Sequence, residues 1–247
     1  MVEKEIDWLL NEKYQGEKSP AFFADCKRLA LGEPLAYIIG FSNFLGCKIH
    51  LDSHPLIPRV ETEFWVEKAI AAITEIENQS PHILDLCAGS GCIGVAVAKA
   101  IPESKVDFSE IDQGHIPTIK KNLETNNLAE NRFRVAHTSL FAAFTDTKYD
   151  FILSNPPYID ASLNRTDESV TEFEPFISLF GGQDGMEIII KIIEEAPQHL
   201  KSGGQLWLEH EPEQTSAITQ LANYNSFKTT THKDQYGVER YTVLVLQ

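Results

Sequence analysis

Two rhythms of apolar residues divide the chain. Before residue 80 they recur three and four apart, which predicts amphipathic helices over 3–15, 20–31 and 61–78. On the third of these, Phe64, Trp65, Ala69, Ala72, Ile73 and Ile76 share one face. Gly32-Glu33-Pro34 ends the second helix, and residues 41–51 alternate about Gly46, the pattern of a hairpin. From residue 81 short apolar runs alternate with helical stretches. Strands are predicted over 82–87, 104–110, 132–137, 149–154, 204–210, 226–231 and 239–246, and helices near 92–100, 116–126, 184–200 and 212–223. Such alternation predicts an α/β fold with a mostly parallel sheet covered by helices on both faces. The short polar link Thr231–Gly237 makes the last two strands an antiparallel pair. Ligands of open α/β sheets sit beyond the carboxyl ends of the strands, so chemistry is expected there.

Three stretches fall at such ends. The first is Ile83-Leu84-Asp85-Leu86-Cys87-Ala88-Gly89-Ser90-Gly91-Cys92. Gly89 and Gly91 let the backbone turn sharply and approach a ligand closely, and the helix that follows presents free N–H groups. Asp85 is placed to attract a cationic ammonium, such as that of a bound methionine moiety. The loop is neither GxGxxG nor a phosphate loop ending in GKS or GKT. A tight turn that merely packs helix on strand is the competing reading. The second stretch ends a strand at Glu110-Ile111-Asp112, nineteen residues past Gly91, near the spacing at which a carboxylate receives the hydroxyls of a ribose. Glu110 as a solvated strand-end charge, with Asp112 as the useful carboxylate or a helix cap, is the alternative.

The third stretch carries the most information. Strand 149–154 runs into Asn155-Pro156-Pro157-Tyr158. Two prolines stiffen the turn and bring no N–H. The Asn155 side-chain oxygen and the Pro156 carbonyl are therefore available to accept from the two N–H groups of a planar amide or amine. Such a nitrogen is a poor nucleophile, so catalysis would be mostly positioning, with acceptors that strengthen as charge develops. Tyr158 can pack on the acceptor's planar face or near a sulfonium cation. A rigid turn alone would also use Asn-Pro.

Composition narrows the field. With 247 residues, 43% of them hydrophobic, the chain can bury one full α/β domain and a small appendage. The net charge of −15 repels phosphate backbones over about 8 Å at physiological salt and argues against broad nucleic-acid binding. No apolar run is long enough for a membrane span, and the acidic start lacks a signal core. Cys26, Cys47, Cys87 and Cys92 form no CxxC, which predicts reduced thiols and a cytoplasmic setting. His50 and His54 lie in a proline-flanked loop and are not expected to bind metal.

With these motifs the chain resembles the HemK-type release factor glutamine methyltransferases from about residue 32 onward. The resemblance also rests on Gly32–Gly40, on Ile57-Pro58-Arg59-Val60-Glu61-Thr62-Glu63, on Phe173-Glu174-Pro175, on Gly181-Gly182-Gln183-Asp184-Gly185 and on Leu208-Glu209-His210. It implies a class I fold, Rossmann-like, with seven strands and the last antiparallel. It implies a short helical segment over 1–33, a linker with a β-hairpin over 34–58 and a catalytic domain over 59–247. S-adenosylmethionine is the implied cofactor, with S-adenosylhomocysteine as product, held by Asp85, Cys87, Ala88, Gly89, Ser90, Gly91, Glu110 and Asn155, with Leu140 or Phe141 flanking the adenine. Asn155, Pro156, Pro157 and Tyr158 would hold the acceptor. By the family pattern that acceptor is the glutamine of a Gly-Gly-Gln loop in a peptide chain release factor, with no stable nucleic-acid or membrane partner.

The chain departs from the pattern at several places. Cys87 and Ala88 replace the usual Gly and Thr, Glu110 a usual Asp, Val60 a proline and Glu211 a glycine. Gly114 and Pro117 disturb the next helix start, and the N-terminal helical part is short. Competing readings are a glutamine methyltransferase of ribosomal proteins, a nucleic-acid amine methyltransferase and a non-catalytic binding protein of the same fold. The Ile57–Glu63 segment argues against the first, the acidic charge against the second and the intact NPPY against the third.

Overall fold

The computed structural model describes residues 2–163 and 168–247. Helices α1 (Val2–Glu12), α2 (Pro20–Ala30) and α3 (Leu35–Ile39) bury Leu9, Phe22, Leu29 and Ile38 against one another. Asp25 is buried among them and accepts from Lys13, Tyr14 and Arg28 at 2.6–2.8 Å. Strands β1 (Phe41–Phe44) and β2 (Cys47–His50) form the expected hairpin, turning through Leu45 and Gly46 at positive φ. The hairpin docks beside the helix His115–Thr125. Asn122 accepts from the His50 amide at 2.7 Å, and Asn126 accepts from Lys48 N at 3.2 Å.

After α4 (Val60–Glu75), the main sheet begins with β3 (His82–Leu86). It continues through α5 (Cys92–Ala100), β4 (Lys105–Glu110), α6 (His115–Thr125), β5 (Phe133–His137) and β6 (Tyr149–Ser154). Three short or medium helices follow, α7 (Glu168–Phe173), α8 (Phe176–Leu179) and α9 (Glu187–Glu195). Then come β7 (Leu200–Glu209), α10 (Thr215–Tyr224), β8 (Phe227–Lys233) and β9 (Glu239–Leu246). The strand order is β5-β4-β3-β6-β7-β9-β8, with β9 antiparallel to both its neighbours. The order therefore reverses between β3 and β6, the switch point at which open sheets form a crevice.

The strands read as continuous apolar runs because both faces are covered. One face buries Trp65, Val66, Ile83, Phe108 and Phe151 against α4 and α5; the other buries Leu84, Leu86, Ile152, Leu206 and Ile189 against α9 and α10.

The structure differs from expectation in a few places. The helix expected over 184–200 is α9 alone. Positive φ at Gly182, Asp184 and Gly185 delays its start, and Pro197 converts its end to a 3-10 turn. Strand β7 begins at Leu200, earlier than 204, because Leu200 pairs with Tyr149 before a register shift. Helices α3, α7 and α8 are too short for periodicity to register.

Candidate active site

Strand register brings the motifs together. Leu86 pairs with Ser154, Leu86 with Ser109, and Ser154 with Leu208. The next residues along the three outer pairings, Cys87, Glu110, Asn155 and Glu209, therefore emerge side by side from one edge of the sheet.

Cys87 lies at φ +62°, Gly89 at +55° and Gly91 at +76°, so the first loop turns through three left-handed residues. Cys87 has a side chain in a conformation that suits glycine, and burial pushes its thiol up to about 12. Cys87, Gly89, Glu110, Leu140 and Asn155 line a cavity of about 190 Å³. Ala88 and Gly91 complete the turn, through Ala88 N to Ser109 O at 3.0 Å and Gly91 N to Ala88 O at 2.7 Å. Ser90 is buried, and its carbonyl accepts from Asn122 at 2.9 Å.

Glu110 is 6% exposed, which removes the reading of a solvated strand-end charge. Its two oxygens accept from the backbone amides of Gly89 at 2.7 Å and Asp112 at 2.8 Å. Each carboxylate oxygen retains a second lone pair. Asp112 instead accepts from the Gly114 amide at the start of α6. Asp85 is fully buried; one oxygen accepts from Gly94 N at 2.8 Å and the other has no partner. Burial first, then the nearby Glu110 charge, pushes its carboxyl up to about 8.

The choice between Leu140 and Phe141 resolves in favour of Leu140 as the cavity residue. Leu140 adopts φ +45°, and its carbonyl accepts from Ser109. This turns Phe141 into the core, 1% exposed, with its ring stacked on His199 at 4.4 Å. Of the expected cofactor residues, Cys87, Gly89, Glu110, Leu140 and Asn155 line the cavity, and Asp85, Ala88, Ser90, Gly91 and Phe141 do not.

A second cavity, also about 190 Å³, is bounded by Arg59, Asn155, Pro156, Tyr158 and Leu179. Leu56, Asn155 and Ser178 line both, so Asn155 stands where the two spaces meet. Pro157 faces the first cavity. The Asn155 amide nitrogen donates to Thr62 Oγ1 at 3.1 Å, and Thr62 donates to Glu209 at 2.7 Å. The same Glu209 oxygen accepts from the Trp65 indole at 2.6 Å, while its other oxygen accepts from Tyr158 at 3.0 Å. Thr62 and Trp65 lie one turn apart on α4, and Glu209 ends β7. Thr62 belongs to the Ile57–Glu63 segment, which by the family pattern lines the site, whereas no sequence signal marks the hydrogen bonds of Trp65 and Glu209.

Glu174 and the Tyr158 carbonyl are each tied to neighbouring segments. Buried Glu174 accepts from Ile57 N at 3.1 Å and pairs with Arg59. The segment Ile57–Glu63 thus borders the acceptor side of the crevice, while Glu63 accepts from Leu45 N at the hairpin turn. Gly185, at φ +67°, lies so close to the Tyr158 carbonyl that a Cβ would stand 1.9 Å from it. Gln214 donates to that same carbonyl at 2.8 Å. Gly185→Ala is expected to destabilise the protein by about 1–3 kcal/mol in chemical denaturation, the range for overpacking. Wild-type stability would show that the two loops do not touch.

A parallel sheet closed by an antiparallel strand, with a two-lobed crevice at its switch point, defines a class I methyltransferase. Residues 69–173 match the family model described as a methyltransferase small domain. Solved structures share the fold at low identity. A ribosomal protein methylase from Lactobacillus delbrueckii subsp. bulgaricus superposes with a TM-score of 0.59 at 17% identity, over 81% of this chain and 83% of that one. A Thermus thermophilus ribosomal RNA methyltransferase bound to S-adenosylmethionine and guanosine gives a TM-score of 0.57 at 18% identity, over 84% and 50%. Sequence relatives are nearer. The release factor glutamine methyltransferase of Rhodopirellula baltica is 36% identical over 230 residues, 91% of this chain and 77% of the relative. That of Thermodesulfovibrio yellowstonii is 32% identical over 236 residues, 95% and 84%. The chain belongs to the family of release factor glutamine methyltransferases, which use S-adenosylmethionine.

Proposed function

We propose that this enzyme transfers a methyl group from S-adenosylmethionine to the side-chain amide nitrogen of the glutamine in the Gly-Gly-Gln loop of a peptide chain release factor. The observation that carries this is the Asn155 amide, held at the junction of two cavities with its oxygen left to accept. The first cavity fits the cofactor. Glu110 offers lone pairs to the ribose hydroxyls and Leu140 an apolar surface to the adenine. Asp85 does not line the cavity but lies two residues before Cys87, which does, with one buried oxygen unpartnered to attract positive charge. When bound, S-adenosylmethionine supplies an electrophilic methyl on a sulfonium.

The remaining chemistry belongs to the chain. Asn155 Oδ1 and the Pro156 carbonyl each accept one N–H of the glutamine amide, which fixes the nitrogen and aims its face at the first cavity. Both acceptors bind more strongly as positive charge develops. Tyr158 walls the second cavity together with Arg59, whose guanidinium is paired with Glu174. The net charge of −15 favours a basic protein partner over RNA. No helix among the described residues is long and apolar enough to cross a membrane. All four cysteines are free thiols, which supports a reducing, cytoplasmic setting.

Asp85 adds a pH signature. Its carboxyl is raised from 3.8 to about 8, so the ligand-free fold loses stability as pH rises across that window. A cation beside it favours the charged form. Cofactor binding at about pH 6.5 is therefore expected to release roughly one proton, read as a buffer-dependent binding enthalpy. The release should vanish in Asp85→Asn; an equal release in the variant would place the proton elsewhere.

Labelled cofactor incubated separately with a release factor, ribosomal protein and RNA tests the substrate class. Label in the release factor is expected. Label in RNA alone would sink the proposal, and label in ribosomal protein alone would shift it to the other glutamine methyltransferases.

A further inference from the structure

Glu209 lies at the centre of an arrangement that contact with cofactor and acceptor does not by itself explain. It is 1% exposed and held by three donors: Thr62 and Trp65 on one oxygen, Tyr158 on the other. A buried carboxylate is costly to desolvate, and three hydrogen bonds are spent on holding this one. Its hydrogen bonds have a defined direction. The Trp65 indole can only donate, so the oxygen it meets is an acceptor. Thr62 therefore spends its proton on that oxygen and presents a lone pair to Asn155. Only the NH₂ end of the Asn155 amide can meet that lone pair. The carbonyl end is thereby left pointing away, free to accept.

We infer that Glu209 and Thr62 are positioning residues that set the direction of the Asn155 amide, so that its oxygen and not its nitrogen meets the acceptor's NH₂. This rests on the proposed role of Asn155 as the acceptor-binding amide. Without the relay, Asn155 can rotate by half a turn about its last bond. Its two donors would then oppose the two donors of the glutamine amide. Burial raises the Glu209 carboxyl, and the hydrogen bonds of Trp65, Thr62 and Tyr158 oppose that rise. The direction of the relay does not depend on the outcome, because a proton on the Tyr158-facing oxygen leaves the other an acceptor. Through the same carboxylate, Tyr158 and Asn155 are fixed to one anchor, which couples the two sides of the acceptor cavity.

The test compares Thr62→Val, which keeps the shape and removes the hydroxyl, with Thr62→Ser, which keeps the hydroxyl. Turnover on the release factor, KM for it and cofactor affinity by calorimetry are measured for both and for Asn155→Ala. Thr62→Val is expected to lose at least about tenfold in kcat with cofactor affinity unchanged, below the full cost of removing a preorganised group. Thr62→Ser should retain most of the wild-type kcat, a rescue that a role in packing alone would not give. Normal kcat in Thr62→Val beside a collapsed Asn155→Ala would overturn the relay and leave the acceptor reading standing. Normal kcat in both would overturn that reading as well. Equal losses in the valine and serine variants would assign Thr62 to packing and overturn the inference.

Discussion

Asn155→Ala is expected to cut turnover by roughly 100-fold or more, about 2.7 kcal/mol of barrier. An amide nitrogen has a delocalised lone pair, and among the described residues no carboxylate or histidine lines the second cavity. On the proposed reading, Asn155 and Pro156 offer it a rigid pair of acceptors. Asn155 leaves the sheet directly after Ser154, whose hydroxyl is anchored on the Leu86 carbonyl at 2.8 Å, and Pro156 fixes the next φ. Alanine keeps this backbone and removes one of the two acceptors. The loss should therefore appear in kcat, with a smaller effect on cofactor affinity, and steady-state and single-turnover rates check it. Near-normal turnover would remove Asn155 from the chemistry.

The second large effect is on the cofactor. Glu110→Ala is expected to weaken S-adenosylmethionine binding by roughly 10–100-fold, measured by titration calorimetry. Charge-assisted hydrogen bonds of the kind that Glu110 would give a ribose are worth about 1.5–3 kcal/mol. The same carboxylate also accepts from Gly89 N and Asp112 N, so it shapes the loop it faces. One methylene longer than aspartate, it reaches that loop from the end of β4. Unchanged affinity would show that Glu110 only holds the loop.

Much of the fold was legible because it is written locally. The strand runs, the glycine turn after β3 and the rigid Asn155–Tyr158 turn after β6 are each contiguous. Their meeting at one crevice follows from the parallel register. What was not legible depends on distance or on a single dihedral. Thr62 and Glu209 are 147 positions apart, and no local pattern says that one donates to the other. Leu140 and Phe141 are adjacent and both apolar; a positive φ at Leu140 decides which one faces the cavity. The departure at Cys87 is also explained in part. Its backbone keeps the left-handed turn natural to glycine, so the loop's shape survives the substitution.

The most direct test of the central claim is the location of the methyl group. The enzyme is incubated with S-adenosylmethionine and a release factor, and the peptide containing Gly-Gly-Gln is fragmented by tandem mass spectrometry. The expected result is a gain of one methylene on the glutamine side chain, with no methyl elsewhere in the factor and a roughly 100-fold slower gain in the Asn155→Ala reaction. Methyl on another residue, or an unmodified glutamine after full turnover of the cofactor, would contradict it.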